Sequence, residues 1–367
     1  MATRHRRAGR VTDHLLAIAA AGGAVGALLV AVEAGLDRLG IGLAPANSGG
    51  VPHGAVMVGG FVGTLVALER ARASDQPLAS LVPFASAAGA AFLILGWPAA
   101  GQLLQVLAAA GLALLMWSFW RLQPQLPLAL VAAGAIVWAG GTVVWVASGS
   151  PVRAVPWWMV FLVFTILGER LELTRFARRP TAPAIAAALV LVGGLVTSLI
   201  NWRGGAHVVG IGMTLAGTWL LWADTARATV RRGGLATYAG AALITAYAWL
   251  AVAGVIVMLR GLLNPWYDAT LHAFFIGFVI GSIFAHGPII LPALTGRAVR
   301  FTPMFLLALV LLHASVGLRV AASLASEQNW RQQAAHAHVL AFVAYVAAMA
   351  LGLLLERRRS IAGTPVG

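Results

Sequence analysis

The sequence predicts an all-α, polytopic integral membrane protein, a bundle of about twelve transmembrane helices. Of its 367 residues, 60% are hydrophobic and 10% are charged, and the mean hydropathy is +0.88. Apolar stretches of about 20 residues, enough to cross about 30 Å of hydrocarbon, recur between His14 and Leu355. These stretches are continuous, whereas the strands of an outer-membrane barrel alternate apolar and polar residues.

We predict a single membrane domain over residues 1–367. The basic N-terminal tail precedes an apolar stretch without a convincing cleavage site, so we expect an uncleaved first span. The predicted spans are 14–35, 51–69, 79–97, 101–120, 126–147, 157–174, 182–200, 205–223, 235–259, 268–292, 301–321 and 335–355.

The net charge of +14 comes from 25 arginines without any lysine. They are spread through short loops, which argues against a nucleic-acid partner. With the N-terminus inside, the cytoplasmic side collects 19 of the 25 arginines and the outer side collects 6. The positive-inside rule therefore predicts cytoplasmic termini, and the composition, rich in Ala, Gly and Arg, indicates a bacterial inner membrane.

The chain contains no cysteine. Disulfides, thiolate zinc sites and iron–sulfur clusters are therefore excluded, and a bound metal must use His, carboxylate, Met or backbone ligands. The sequence also lacks a Walker loop, a dinucleotide fingerprint, an H-E-x-x-H motif and a nucleophile elbow, so hydrolase and ATPase functions have no support.

Five histidines fall in the predicted outer half of the membrane, on four spans. An imidazole that faces lipid is energetically costly, so these side chains are expected to turn inward. Two interpretations remain open, a shared haem or metal site and separate interhelical hydrogen bonds. Neutral imidazole suits copper, iron and zinc, and axial His holds haem iron. The candidate ligands are His53, His272, His313, His336 and His338.

Helical spacing separates some of these candidates. His336 and His338 point to roughly opposite sides of a helix, so they belong to two centres or only one of them is a ligand. His286 is a metal-ligand candidate, or it caps carbonyls that Pro288 and Pro292 free.

Charged residues give further candidates. If haem lies in the outer half, Arg319 and Glu33 are positioned to contact its propionates. Glu69, Glu169 and Arg170 lie in the inner half. We expect interfacial ion pairs here; the alternatives are a proton path through Glu69 and Glu169, or an arginine that holds a haem propionate or an anion.

The ordered motifs resemble the NnrS family of haem- and copper-containing membrane proteins, which are linked to nitric oxide metabolism and nitrosative stress. The segments that carry the resemblance are HGAVMVGGF, LGERLELTRF, LHAFFIGFVIGSIFAHGPIILPALTGR and a following LRV that contains Arg319. The resemblance implies about twelve spans, haem or copper as cofactor, and His53 and His272 as ligands.

Two short motifs also resemble the catalytic subunits of haem-copper oxidases and nitric oxide reductases. They are the His53-Gly54 pair and the segment from His336 to His338. This similarity implies that His53 and His338 bracket one haem, while His336 faces a second centre shared with His272 or His313.

Three functional hypotheses follow. The leading one is a haem- or copper-binding protein that acts on nitric oxide or a similar small redox molecule near the outer face. The second is a proton-coupled transporter that uses Glu69, Glu169 and His286 as a relay. The third is an assembly or structural subunit without a metal.

Overall fold

The computed structural model describes residues 2–43, 51–76, 78–174, 179–295 and 297–362. Within these ranges every regular element is helical, which confirms the predicted all-α class. The long helices are α1 (Ala2–Asp37), α2 (His53–Arg72), α3 (Leu81–Ile94), α4 (Pro98–Leu122), α5 (Leu126–Ser148), α6 (Pro151–Thr174), α7 (Ala182–Ile200), α8 (Trp202–Ala223), α9 (Gly234–Arg260), α10 (266–295), α11 (Met304–Ala325) and α12 (Gln328–Ala362).

Eleven helices in the described part of the chain are long and apolar enough to cross a membrane. The chain is therefore a multi-pass membrane protein whose outer helix faces contact lipid. The helix α3 differs from the predicted span 79–97 because it has only 14 residues. Gly96, with a φ of 80°, ends this segment, and Pro98 opens the next helix.

The chain divides into two compact units, Met1–Glu169 and Arg170–Gly367. In the first unit, α1 packs through a stripe of small residues at helical spacing, whereas its larger side chains are exposed on other faces. Small interfacial residues are typical of helix packing in membranes, where backbones approach closely. The buried members of this stripe are Ala17, Ala20, Ala24, Ala27, Ala31 and Ala34.

The helix α2 changes its hydrogen-bonding pattern in its middle. Residues Val56–Gly63 form a π-helical segment, and the carbonyl of Gly59 accepts a 2.8 Å hydrogen bond from Ser86 Oγ of α3. Gln105 of α4 donates to the Ser86 carbonyl at 2.8 Å. These buried polar groups join α2, α3 and α4 in the interior of the first unit.

In the second unit, α8 and α9 cross with their backbones in contact. A methyl group added to Gly210 would lie 2.3 Å from the Met258 nitrogen, and one added to Gly254 would lie 2.5 Å from the Thr214 nitrogen. Only glycine fits at this crossing, because a Cβ cannot approach a neighbouring backbone so closely.

The helix α10 begins as an α-helix over Trp266–Leu271, becomes a π-helix over His272–Ile280 and returns to an α-helix over Gly281–Thr295. Pro288 has no N–H, so the Phe284 carbonyl loses its usual helical donor. The hydroxyl of Tyr238 donates to this carbonyl at 3.1 Å. Tyr238 therefore caps the carbonyl that Pro288 frees.

Candidate metal centre

Two of the candidate histidines face each other in the second unit. His272 of α10 and His338 of α12 have ring centroids 5.8 Å apart, with an angle of 84° between the ring planes. His338 faces inward because it lies on the same helix face as Ala334 and Ala341, which are fully buried. His272 marks the point where α10 becomes π-helical, and such π-segments are frequent at functional sites.

Both imidazoles are oriented by a carbonyl one helical turn earlier. His272 Nδ1 lies 2.9 Å from the Asp268 carbonyl oxygen, and His338 Nδ1 lies 2.5 Å from the Ala334 carbonyl oxygen. A carbonyl only accepts hydrogen bonds, so Nδ1 carries the proton and the neutral ring presents its lone pair at Nε2. Nε2 of His338 is buried and has no hydrogen-bond partner among the described residues.

An ion-pair network lies beside the histidines. Asp268 accepts two hydrogen bonds of 2.9 Å from Arg319 of α11, through Nε and one terminal nitrogen, and it also accepts the Ser323 hydroxyl. One carboxylate oxygen of Asp268 lies 3.5 Å from His272 Nδ1. An outer carboxylate of this kind fixes the orientation of a ligand histidine in many metal sites.

The network continues into α12. Arg319 donates to the Arg331 carbonyl at 3.2 Å, and Arg331 donates to the Ser323 carbonyl at 3.3 Å. The Arg331 Nε atom is buried, and no described residue accepts a hydrogen bond from it. The guanidinium of Arg319 therefore joins α10, α11 and α12. The sequence had instead predicted that Arg319 contacts haem propionates.

His313 belongs to a separate hydrogen-bond chain between α9 and α11. The Trp249 indole donates to His313 Nδ1 at 3.1 Å, and His313 Nε2 lies 2.7 Å from Thr245 Oγ1. The Thr245 hydroxyl donates to its own helix at the Ala241 carbonyl. Both ring nitrogens of His313 are thus engaged, which favours a packing role for this candidate ligand.

The other two candidates on α10 and α12 lie away from the pair. His336 is exposed, whereas His338 is half-buried, so the two side chains have different surroundings. His286 follows His272 by 14 residues, about 21 Å along a helix axis, so it lies at a different depth.

His53, the remaining candidate, lies at the start of α2 in the first unit. Its Nδ1 is 2.5 Å from the Ala31 carbonyl of α1, and a methyl group on Gly35 would lie 3.1 Å from its Cε1. The π-segment Val56–Gly63 follows within one turn. His53 and His272 therefore share two features, a carbonyl-bound Nδ1 and an adjoining π-helix.

Two residues of interest were not predicted from the sequence. Asp268 is spaced four residues before His272, a helical i,i+4 pair that was visible in the sequence. His207 of α8 lies 2.8 Å, through Nδ1, from the Met258 carbonyl of α9. No sequence motif marks His207, because its partner is a backbone atom of another helix.

Two acidic residues, Glu169 and Asp224, lie in ion pairs with arginines. In the first unit Arg70 pairs with Glu169, and in the second unit Arg170 donates to both carboxylate oxygens of Asp224 at 2.7 and 2.9 Å. Both side chains of the second pair are almost completely buried. These contacts agree with the expectation of ion pairs in this region.

The described residues contain no group of three or more His, Cys, Asp or Glu side chains that could hold one metal ion. The histidine pair thus offers two nitrogen ligands. No curated protein and no solved structure matches the chain. A family model matches residues 16–353, a range that includes both histidines of the pair and both π-segments. The chain therefore belongs to the family described as "Domain of unknown function (DUF8744)".

Proposed function

We propose that this protein is a metal-binding membrane protein that uses copper or haem iron to act on nitric oxide or a similar small redox molecule. The metal is held through Nε2 of His272 and His338. The protein lies in a bacterial inner membrane with both termini in the cytoplasm, and the histidine pair then lies in the outer half of the membrane.

The perpendicular pair of imidazoles is the observation that carries this proposal. Two imidazoles that bind one ion through Nε2, at about 2.0–2.1 Å, have ring centres about 6 Å apart. The ring centroids of His272 and His338 are 5.8 Å apart. The donor chemistry fits as well, because each Nδ1 is committed to a carbonyl, and no group in the described part of the chain bonds the buried Nε2 of His338.

The surrounding residues have separate roles in this proposal. The Asp268 and Ala334 carbonyls hold the two rings in the tautomer that binds metal. Arg319 holds the Asp268 side chain in place and joins three helices. Iron or copper would supply electron transfer, and these protein groups supply binding, orientation and exclusion of water.

Nitric oxide as substrate is supported by the sequence resemblance to the NnrS family alone. That resemblance also supports His53 as a ligand in the first unit. The arginine distribution supports the orientation, since 19 of the 25 arginines lie on the predicted cytoplasmic side.

Two measurements on one sample of the detergent-purified protein test this function. The first is the visible absorption spectrum, air-oxidised and dithionite-reduced, and the second is the number of iron and copper atoms per chain. A Soret band that shifts on reduction identifies haem, and copper without such a band identifies a copper protein. If protein purified from metal-supplemented cells contains neither iron nor copper, this result contradicts the proposal. It would favour the transporter or the assembly subunit.

A further inference from the structure

We infer that one end of the second unit binds the phosphate headgroup of an anionic phospholipid through Arg179, Arg231 and Arg232. These residues, the interfacial arginines, precede the first turns of α7 and α9, and all three side chains are exposed. The inference goes beyond the proposed function and does not depend on a bound metal. It follows from the fold of the loop between α8 and α9, the lack of counter-charges and the position of the arginines beside spanning helices.

The loop between α8 and α9 has a defined fold that positions two of the arginines. It contains a short helix over Ala226–Thr229. The backbone N–H groups of Arg231 and Arg232 donate to carbonyls of this helix at 3.3 and 3.1 Å. The hydroxyl of Thr237, on α9, donates to the Val230 carbonyl at 2.9 Å. The backbone of the loop is therefore bonded internally and to α9, while its arginine side chains extend outward.

The third arginine is held at the same end of the helices. The Trp219 indole of α8 donates to the Pro180 carbonyl at 3.0 Å, which joins the segment before α7 to the last turns of α8. The guanidinium carbon of Arg179 lies 5.3 Å from the ring centroid of Trp222, an exposed residue of α8. Exposed tryptophans at the ends of spanning helices lie at the level of the lipid headgroups. The interfacial arginines therefore lie at that level too.

Nearby carboxylates do not neutralise these charges. Asp224, the acidic residue of the loop, accepts two hydrogen bonds from Arg170, and its side chain is completely buried. Glu172, two residues after Arg170, is exposed. In the described part of the chain, none of the interfacial arginines forms an ion pair. Three positive charges therefore remain uncompensated at this end of the unit.

The helix termini increase the preference for an anion. Arg179 lies just before α7 and Arg232 just before α9, and neither helix has an acidic residue in its first turn. A helix N-terminus carries a partial positive charge, so a nearby anion stabilises it and a nearby cation destabilises it. The interfacial arginines add to this positive charge, and a bound anion relieves the resulting repulsion.

A phospholipid matches this environment better than a free anion does. Guanidinium groups bind phosphate oxygens through paired hydrogen bonds. Along α7, beyond Arg179, Ile185 and Leu189 are exposed apolar residues against which acyl chains can pack. A lipid with net negative charge satisfies both the arginines and this apolar face, whereas a soluble phosphate contacts the arginines alone.

The test is native mass spectrometry of delipidated, detergent-purified protein. Phosphatidylglycerol and phosphatidylcholine with identical acyl chains are added in separate titrations, and the bound lipids are counted per chain. Both lipids contain a phosphate, but only phosphatidylglycerol has a net negative charge. We expect phosphatidylglycerol to bind about tenfold more tightly. Glycerol phosphate, which lacks acyl chains, should not displace it.

Variants test whether the arginines form the site. Arg231→Gln combined with Arg232→Gln should weaken phosphatidylglycerol binding about tenfold, because two charges beside the phosphate are removed. The corresponding double lysine variant keeps both charges and should retain most of the affinity. The matched control is Arg203→Gln combined with Arg260→Gln, which removes two exposed arginines from the other end of α8 and α9. This control should bind phosphatidylglycerol like the wild type.

Four results would overturn the inference. They are equal affinity for the two lipids, unchanged affinity in the double glutamine variant of Arg231 and Arg232, an equal loss in the Arg203 and Arg260 control, and displacement of the lipid by glycerol phosphate. The third would assign the effect to net charge alone, and the fourth would identify a site for free phosphate. Elution of each variant as the wild-type species in size-exclusion chromatography controls for misfolding.

Discussion

Hydrogen bonding at single residues distinguishes histidines that look alike in the sequence. His53, His207, His272 and His338 each place Nδ1 against a backbone carbonyl, which selects one tautomer of the neutral ring. His313 uses both nitrogens on Trp249 and Thr245. Hydropathy predicts the depth of these residues in the membrane, but it cannot predict partners that lie on other helices or on the backbone.

The buried ion pair between Arg170 and Asp224 allows a stability prediction. Asp224→Ala leaves the arginine buried and uncompensated, and removes the oxygen that accepts the Ala226 N–H at 2.6 Å. We expect a loss of about 3–5 kcal/mol, visible as a lower unfolding temperature in detergent. Arg227→Ala, an exposed change three residues later, is the control and should have little effect.

A double variant separates charge from packing at the same position. Arg170→Met combined with Asp224→Leu removes both charges together, so no charge is left buried without a partner. We expect this protein to be more stable than the Asp224→Ala single variant. If the double variant were the less stable of the two, the pair would stabilise the fold by a different mechanism.

At the scale of helices, hydropathy predicts where elements lie but not how they deviate from ideal geometry. The predicted span 182–200 coincides with α7, whereas the predicted spans 51–69 and 268–292 each contain an unpredicted π-segment. A π-segment changes the hydrogen-bond ladder without changing the apolar composition of the span. The Gly-Phe-Val sequence inside each one is a signal that could have indicated a shared local structure.

The crossing of α8 and α9 provides a prediction at this scale. Gly210→Ala places a methyl group 2.3 Å from the Met258 nitrogen, so the two helices must separate. We expect a loss of about 1–3 kcal/mol in unfolding free energy, measured by thermal or denaturant unfolding in detergent. Gly317→Ala, where nothing lies within 4 Å of the added methyl, should be neutral or slightly stabilising, and equal effects would argue against this crossing.

For the whole molecule, the topology depends on one short helix. The described residues contain eleven helices of spanning length, and α3 has 14 residues, about 21 Å of rise. If α3 crosses the membrane, the termini lie on the same side, and otherwise they lie on opposite sides. Grouping of helices into two units was not predictable from hydropathy, because hydropathy does not say which helices pack together.

The absence of cysteine makes this topology directly measurable. We predict that Asp75→Cys and Leu95→Cys, both exposed and on either side of α3, react with a membrane-impermeant maleimide from opposite faces of the membrane. The loop with Asp75 should be cytoplasmic because Arg70 and Arg72 precede it. Labelling of both positions from one face would show that α3 does not cross and would reverse the orientation of every later helix.

The metal content of matched histidine variants tests the central claim most directly. Purified wild-type protein, His272→Ala, His338→Ala and His336→Ala should be compared for iron and copper per chain after identical expression with both metals. We predict that the first two variants lose the metal, whereas His336→Ala retains it because His336 is exposed on another side of α12. Full metal content in His272→Ala and His338→Ala, or loss of metal in His336→Ala alone, would contradict a centre built on the His272 and His338 pair.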